Sequence, residues 1–278
     1  MLATKYTFII VILFAFMPSS SIFAQANTPI ILNLPHTDGD GLAVKLQPLA
    51  KEEQKRLFEK GLKSCENQCV TPFAQRLGQA DGVNALSNCR SSCIKPQFSF
   101  LNLTSGEVVT GDKNPNEAEF HYIGLIYQCV EYARKWWMIN QDITFGSIDS
   151  AYEILYLTEG KNIRTNQTFP LARSLNGSAK RPPKRGDLLI YAADRNRANW
   201  RHGHVAVVVE VDLANNYLLV AEENYNNQPW ADANKYARKL KLSHSDKGYQ
   251  VIDQDPYQLD TAELGVISGW IYPMQVTD

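Results

Sequence analysis

Cys129 is the residue whose type and surroundings best suit covalent chemistry. It is one of five cysteines; the other four lie upstream in two matched pairs, Cys65/Cys69 and Cys89/Cys93. Cys129 sits in Tyr127-Gln128-Cys129-Val130-Glu131-Tyr132-Ala133-Arg134-Lys135, where an apolar, helix-compatible run begins. Free backbone N–H groups and the positive end of a helix dipole favour a thiolate there, and could also hold a developing oxyanion. Such a nucleophile needs a base beside it and a group that orients the base.

His204, in His202-Gly203-His204-Val205-Ala206-Val207-Val208-Val209, offers the base. The apolar run reads as a buried strand, and Gly203 permits close approach of another backbone. His202 would share the face of His204 on a regular strand. No carboxylate or thiol at a convincing spacing completes a metal set, so His202 reads as a rim residue and neither metal nor other cofactor is expected. The orienting group belongs on the next strand, across an Asn215-Asn216 hairpin turn. In Val220-Ala221-Glu222-Glu223-Asn224, either Glu222 or Asn224 could accept the second ring N–H of His204, while Glu223 should face the other way. Spacing alone leaves both open.

The elements that must position these groups follow from periodicity. Residues 128–140 and about 148–158 read as helices. Strands are predicted over 187–192, 204–211, 217–222, 236–242, 249–253 and 264–272. The stretch through Arg173–Arg185, including the basic Lys180-Arg181-Pro182-Pro183-Lys184-Arg185, reads as a loop-rich, solvated connection. Helices first and then strands joined by short turns give an α+β domain, helices packed on one side of a mainly antiparallel sheet.

Upstream, about 46–77 reads as a helix, Gly78-Gln79-Ala80-Asp81-Gly82 as a turn, and a second helix runs to about Cys93. Each Cys-x3-Cys pair would put both sulfurs on one helix face. Antiparallel packing then joins Cys65 to Cys93 and Cys69 to Cys89, each bridge contributing about 3 kcal/mol in the chain-entropy model. A four-thiolate zinc site is the competing reading; export favours disulfides.

Export is expected from Lys5, the apolar core Phe8–Phe16 and the small residues at Ala24-Gln25-Ala26, a pattern too short to span a bilayer. The predicted organisation is a signal peptide (1–26), a flexible lead-in (27–43), a disulfide-clamped helical hairpin (44–98) and a catalytic domain (99–278). The expected product is periplasmic or secreted, without a membrane span. A net charge of −1 argues against nucleic acid as the main partner.

Four segments together carry a family resemblance: Gln128–Arg134, Gly186-Asp187-Leu188-Leu189-Ile190-Tyr191, Gly203–Val208 and Ala221–Asn224. Their order and spacing resemble CHAP domains, the cysteine, histidine-dependent amidohydrolases/peptidases of the papain-like superfamily. Over about residues 100–273 the chain most resembles the amidase half of glutathionylspermidine synthetase/amidase. The resemblance implies a papain-like fold, with Cys129 as nucleophile, His204 as general base and Glu222, rather than Asn224, as the orienting residue. It also implies Arg134 and Asn224 in the substrate cleft. Glu223 departs from the family's usual glutamine.

The function expected is an exported thiol amidohydrolase acting through a cysteinyl thioester, with the Cys129 N–H and a Gln128 group holding the oxyanion. Peptidoglycan is the first substrate expected; glutathionylspermidine or a similar amine conjugate is the alternative. A different class also fits: a non-catalytic binding or host-interaction protein on the same scaffold, meeting a protein partner at the helical hairpin.

Overall fold

The computed structural model describes residues 29–254 and 264–274, so the expected signal peptide lies outside the described residues. The chain opens with β1 (Pro29–Asn33), β2 (Thr37–Asp38) and β3 (Leu42–Leu46), then α1 (Lys51–Ser64), β4 (Arg76–Ala80) and β5 (Val83–Leu86). Next come β6 (Phe98–Asn102), β7 (Val108–Gly111) and β8 (Phe120–Leu125), followed by α2 (Cys129–Gln141). Strands β9 (Ile143–Thr144), β10 (Glu159–Asn162), β11 (Thr168–Leu175) and β12 (Leu188–Tyr191) lead to β13 (His204–Asp212) and β14 (Tyr217–Ala221). The described elements end with β15 (Arg238–Ser245), β16 (Gly248–Ile252) and β17 (Ile267–Pro273).

The result is an α+β architecture dominated by antiparallel pairing. One large sheet runs in the order β16-β15-β14-β13-β12-β17-β11-β10-β9, with β2 added in parallel to β11. Its central strands alternate between two apolar layers, as the two-residue period of a strand requires. Val205, Val207, Leu188 and Ile190 face the layer containing Tyr132, Ala133, Trp136 and Trp137 of α2. Ala206, Val208, Leu189, Tyr191, Val220 and Trp270 build the layer on the other face. The Trp137 indole donates to the Gly186 carbonyl at 2.8 Å, fixing α2 against the sheet.

The six predicted strands from Leu188 onward all occur, with small boundary shifts. Other expectations need correction. The expected flexible lead-in of 27–43 is, from Pro29 onward, built into the fold: β1 pairs with β3, and the Asp38 carboxylate accepts the backbone N–H groups of Lys180 and Arg181. The helix over 148–158 is a short 3-10 segment, Ala151–Tyr156, opened by a capping box between Ser150 and Glu153. The loop-rich reading overlooked β11.

The helical hairpin of 44–98 holds one helix instead of two. Beyond α1 the chain forms the β4–β5 hairpin, turning at Asp81 and Gly82 with φ of 55° and 79°. Two successive residues at positive φ are the signature of a tight hairpin turn, and Asp-Gly is a preferred pair for it. The nested bridges nevertheless form, Cys65 to Cys93 and Cys69 to Cys89. Cys65 caps α1, whereas Cys89 has φ 79°, a conformation outside any right-handed helix. The pairing therefore arises from a helix end meeting loops.

Candidate active site

Cys129 is the first residue of α2, half-buried and free of any disulfide. The chain reaches it through an elbow: Tyr127 has φ 55° and Gln128 is extended at φ −100°, ψ 153°. A non-glycine residue held at positive φ stores backbone strain, commonly where a side chain must be aimed. The Tyr127 ring is held 5.1 Å from Phe73 of the disulfide-bridged segment.

His204 opens β13, its ring between Tyr191 and Tyr225 at centroid distances of 5.4 and 5.5 Å. Gly203 has φ 65°, and a Cβ there would lie 2.4 Å from the Tyr191 carbonyl oxygen. Glycine is thus required for the close approach. The same kink ends the strand alternation, so His202 does not follow His204; its Nδ1 meets the Ser150 hydroxyl at 2.8 Å. Burial, with Arg195 and Arg201 nearby, pushes His202 down to about 4, a neutral imidazole.

Cys129, His204 and Glu222 are brought together. The Cys129 thiol is a hydrogen-bond partner of His204. On the other side, His204 Nε2 lies 2.7 Å from Glu222 Oε2. Burial works against the Glu222 carboxylate, but Arg238 and His204 outweigh it and hold its pKa at about 2. A carboxylate only accepts, so Nε2–H donates and Nδ1 is left for the sulfur. Burial likewise opposes the imidazolium, yet the Cys129 sulfur and the Glu222 carboxylate raise His204 to about 9.

Arg238 is the residue that sequence reasoning missed. Its Nε lies 2.5 Å from Glu222 Oε1, its Nη2 reaches Glu222 Oε2 at 3.1 Å and the Tyr191 hydroxyl at 2.8 Å, and its Nη1 binds Asp253. The guanidinium also stacks 3.5 Å over the Tyr225 ring. Glu222, Arg238 and Asp253 lie at the ends of three neighbouring strands, β14, β15 and β16. A signal existed: Arg238 shares the period-two face of buried Leu240 and Leu242, where a charge needs a partner.

Gln128 and Asn224 are joined, Asn224 Nδ2 donating to Gln128 Oε1 at 2.6 Å. The Gln128 amide nitrogen donates to the Cys93 carbonyl at 3.1 Å, tying it to the bridged segment. Arg134 is 4% exposed and donates to the Ile123 and Gly146 carbonyls, so it braces the cleft wall. Glu223 faces away from His204, accepting the Leu86 N–H at 2.7 Å. With Glu131 and Lys135 it forms a buried cluster; burial and the Glu131 carboxylate push its pKa well up, against the pull of Lys135.

These groups line a cleft of about 500 Å³ that includes Gln128, Cys129, Arg134, His204 and Asn224. A sulfur, an imidazole with one committed N–H, and a helix start beside an open cleft can together perform nucleophilic acyl transfer.

Residues 120–224 match the family model of the CHAP domain. The chain is 30% identical over 151 residues to trypanothione synthetase of Crithidia fasciculata, covering 54% of this chain and 21% of that protein. It is 28% identical over 208 residues to the bifunctional glutathionylspermidine synthetase/amidase of Escherichia coli (strain K12), covering 74% and 30%. Glutathionylspermidine synthase of Crithidia fasciculata is 24% identical over 196 residues, covering 66% and 26%. The chain thus spans less than a third of the length of these curated relatives.

Proposed function

From the premise that residues 120–224 carry a CHAP domain match, we propose that this chain is a thiol amidohydrolase cleaving amide bonds through a cysteinyl thioester. The observation that carries the reading is the continuous relay from the Cys129 sulfur through His204 to the buried Glu222 carboxylate. The Cys129 sulfur, its proton held on His204 Nδ1, attacks the amide carbon and forms the C–S bond. First-turn N–H groups of α2, with the Gln128 amide, hold the oxygen that becomes negative. His204 returns its proton to the leaving nitrogen as the C–N bond breaks. Water then attacks the thioester, giving up a proton to His204, and releases the acid and the thiol.

For the substrate we propose a peptide amide of peptidoglycan, met outside the cytoplasm after export. Two disulfides support an oxidising compartment. The second reading, an amine conjugate such as glutathionylspermidine, is favoured by the similarity to a relative named as a glutathionylspermidine synthetase/amidase. Incubating the protein with each substrate and following new amines by mass spectrometry tests both. Release from peptidoglycan fragments, absent in Cys129→Ala, is the expected result; release from the conjugate alone would reverse the order.

A further inference from the structure

The cleft that holds Cys129 and His204 is also lined by α1, a helix that no step of the chemistry uses. Gln54, Leu57, Phe58 and Gly61, spaced i, i+3, i+4 and i+7, line the same cleft as Cys129 and His204. A stripe of that spacing normally packs on a core. Here Gly61 and Ser64 are the buried residues of the helix, and Phe58 is left 40% exposed. The stripe therefore faces the space in which the amide would lie.

Both ends of α1 are fastened to segments that carry the site. At its C-terminal end the Cys65–Cys93 bridge follows directly, and Ile94 N–H donates to the Gly61 carbonyl at 3.2 Å. Cys93 in turn holds Gln128, so this end stands beside the helix start that carries Cys129. At the N-terminal end, Glu53 is held by Arg56 at 2.6 and 2.7 Å and also makes an ion pair with Arg201 at 3.6 Å, immediately before His202-Gly203-His204. A helix of 14 residues is about 21 Å long, enough to bridge a cleft from side to side.

We propose that α1 is the specificity element of the cleft, a roof pinned by Cys65–Cys93 and latched by Glu53–Arg201. It restricts the site to thin, soluble, single-chain amides and keeps out intact cross-linked polymer. The proposal rests on the amidohydrolase reading and sharpens its substrate class. A volume near 500 Å³ suits a short peptide or a small conjugate, and a mesh cannot thread beneath a bar fixed at both ends.

The test compares three substrates: an uncross-linked muropeptide, glutathionylspermidine and intact cross-linked sacculi. The wild-type chain is expected to cut at least one soluble substrate about 100-fold faster per bond than sacculi. Glu53→Lys opposes Arg201 and Arg56 and opens the latch. It should raise cleavage of sacculi about 10-fold and leave the soluble rate within about 2-fold. Arg201→Gln, which breaks the same pair and leaves Glu53 on Arg56, should shift the ratio the same way. Should Glu53→Lys melt early, Leu57→Trp supplies a second reading: narrowing the roof raises KM for the soluble substrate and leaves kcat within about 2-fold. Equal wild-type rates on sacculi and soluble substrate, or a Glu53→Lys effect common to both, would overturn the roof. Absence of any Cys129-dependent turnover would overturn the amidohydrolase reading itself, and the roof with it.

Discussion

Two regions converge on Cys129 and hold it in different ways. The sheet corner formed by the ends of β13, β14, β15 and β16 is fixed by ladder hydrogen bonds and two apolar layers, with the buried Glu222–Arg238–Asp253 network at the strand ends. The bridged segment from Cys65 to Cys93 has one short hairpin and relies on disulfides and side chains bonded to backbone. It touches the site through Phe73 on Tyr127, the Cys93 carbonyl on Gln128 and the Leu86 N–H on Glu223. The first region aims His204; the second aims the approach to Cys129. Regular pairing fixes geometry through many weak, redundant bonds, whereas cross-links fix it through a few strong ones that a single change can remove.

The largest break should come in the sheet corner. Replacing His204 with Ala is expected to lower kcat/KM by about 1,000-fold or more, measured with Cys129→Ala as the blank. In the wild type, kcat/KM should fall as pH rises through about 9, where the imidazolium paired with Cys129 is lost. The raised pKa also links to stability: this contribution is full below the ordinary imidazole value of 6.5 and is lost as pH climbs through about 9. Activity persisting unchanged to pH 10.5 would contradict the pairing.

The bridged segment gives the next effect. Cys65→Ser with Cys93→Ser should cost about 3 kcal/mol in urea unfolding, because the cross-link no longer limits the unfolded chain. A loss below about 1 kcal/mol would mean that the segment is held by its side-chain bonds alone.

Arg238→Met should reduce kcat/KM by about 10- to 100-fold, with little change in KM, since it leaves the Glu222 carboxylate buried without its cation. A drop in KM effect only, or none in kcat, would place Arg238 outside the relay. Arg238→Lys, which keeps the charge but loses the fork to both Glu222 oxygens and Tyr191, should recover part of the rate.

The smallest effect lies where the two regions meet. Glu223 has a pKa raised by burial and by Glu131, so its burial is tolerated best below the ordinary carboxyl value of 4.5 and grows costly as pH rises. Glu223→Gln should therefore stabilise by about 1 kcal/mol at pH 8 and by less at pH 4, read from melting curves. Stabilisation that is equal at both values would remove titration as the cause.

The same division governs what the sequence revealed. In the sheet corner, period-two apolar runs and the Asn215-Asn216 turn mark β13 and β14, and those two strands bring His204 and Glu222 together. Arg238 was harder to see because its meaning depends on which strand lies beside which, and strand order is not a local property. In the bridged segment, the Cys-x3-Cys spacing suggested a helical face, while Asp81-Gly82 carried the stronger turn signal. The nested pairing came through despite the wrong secondary structure, because it depends on chain order more than on helices. The Gln128–Cys93 bond could not be read at all, since its acceptor is a backbone carbonyl that any residue would supply.

Strand β17 sits between β12 and β11, paired to both, with Trp270 and Ile271 fully buried. Among the described strands it is the last to be synthesised, yet it occupies the middle of the sheet. The two halves of the sheet cannot close on each other until it arrives, and until then β12 and β11 each present an open edge. A ribosome must therefore have released the chain through Pro273 before the pairing that supports Cys129 and His204 can be completed.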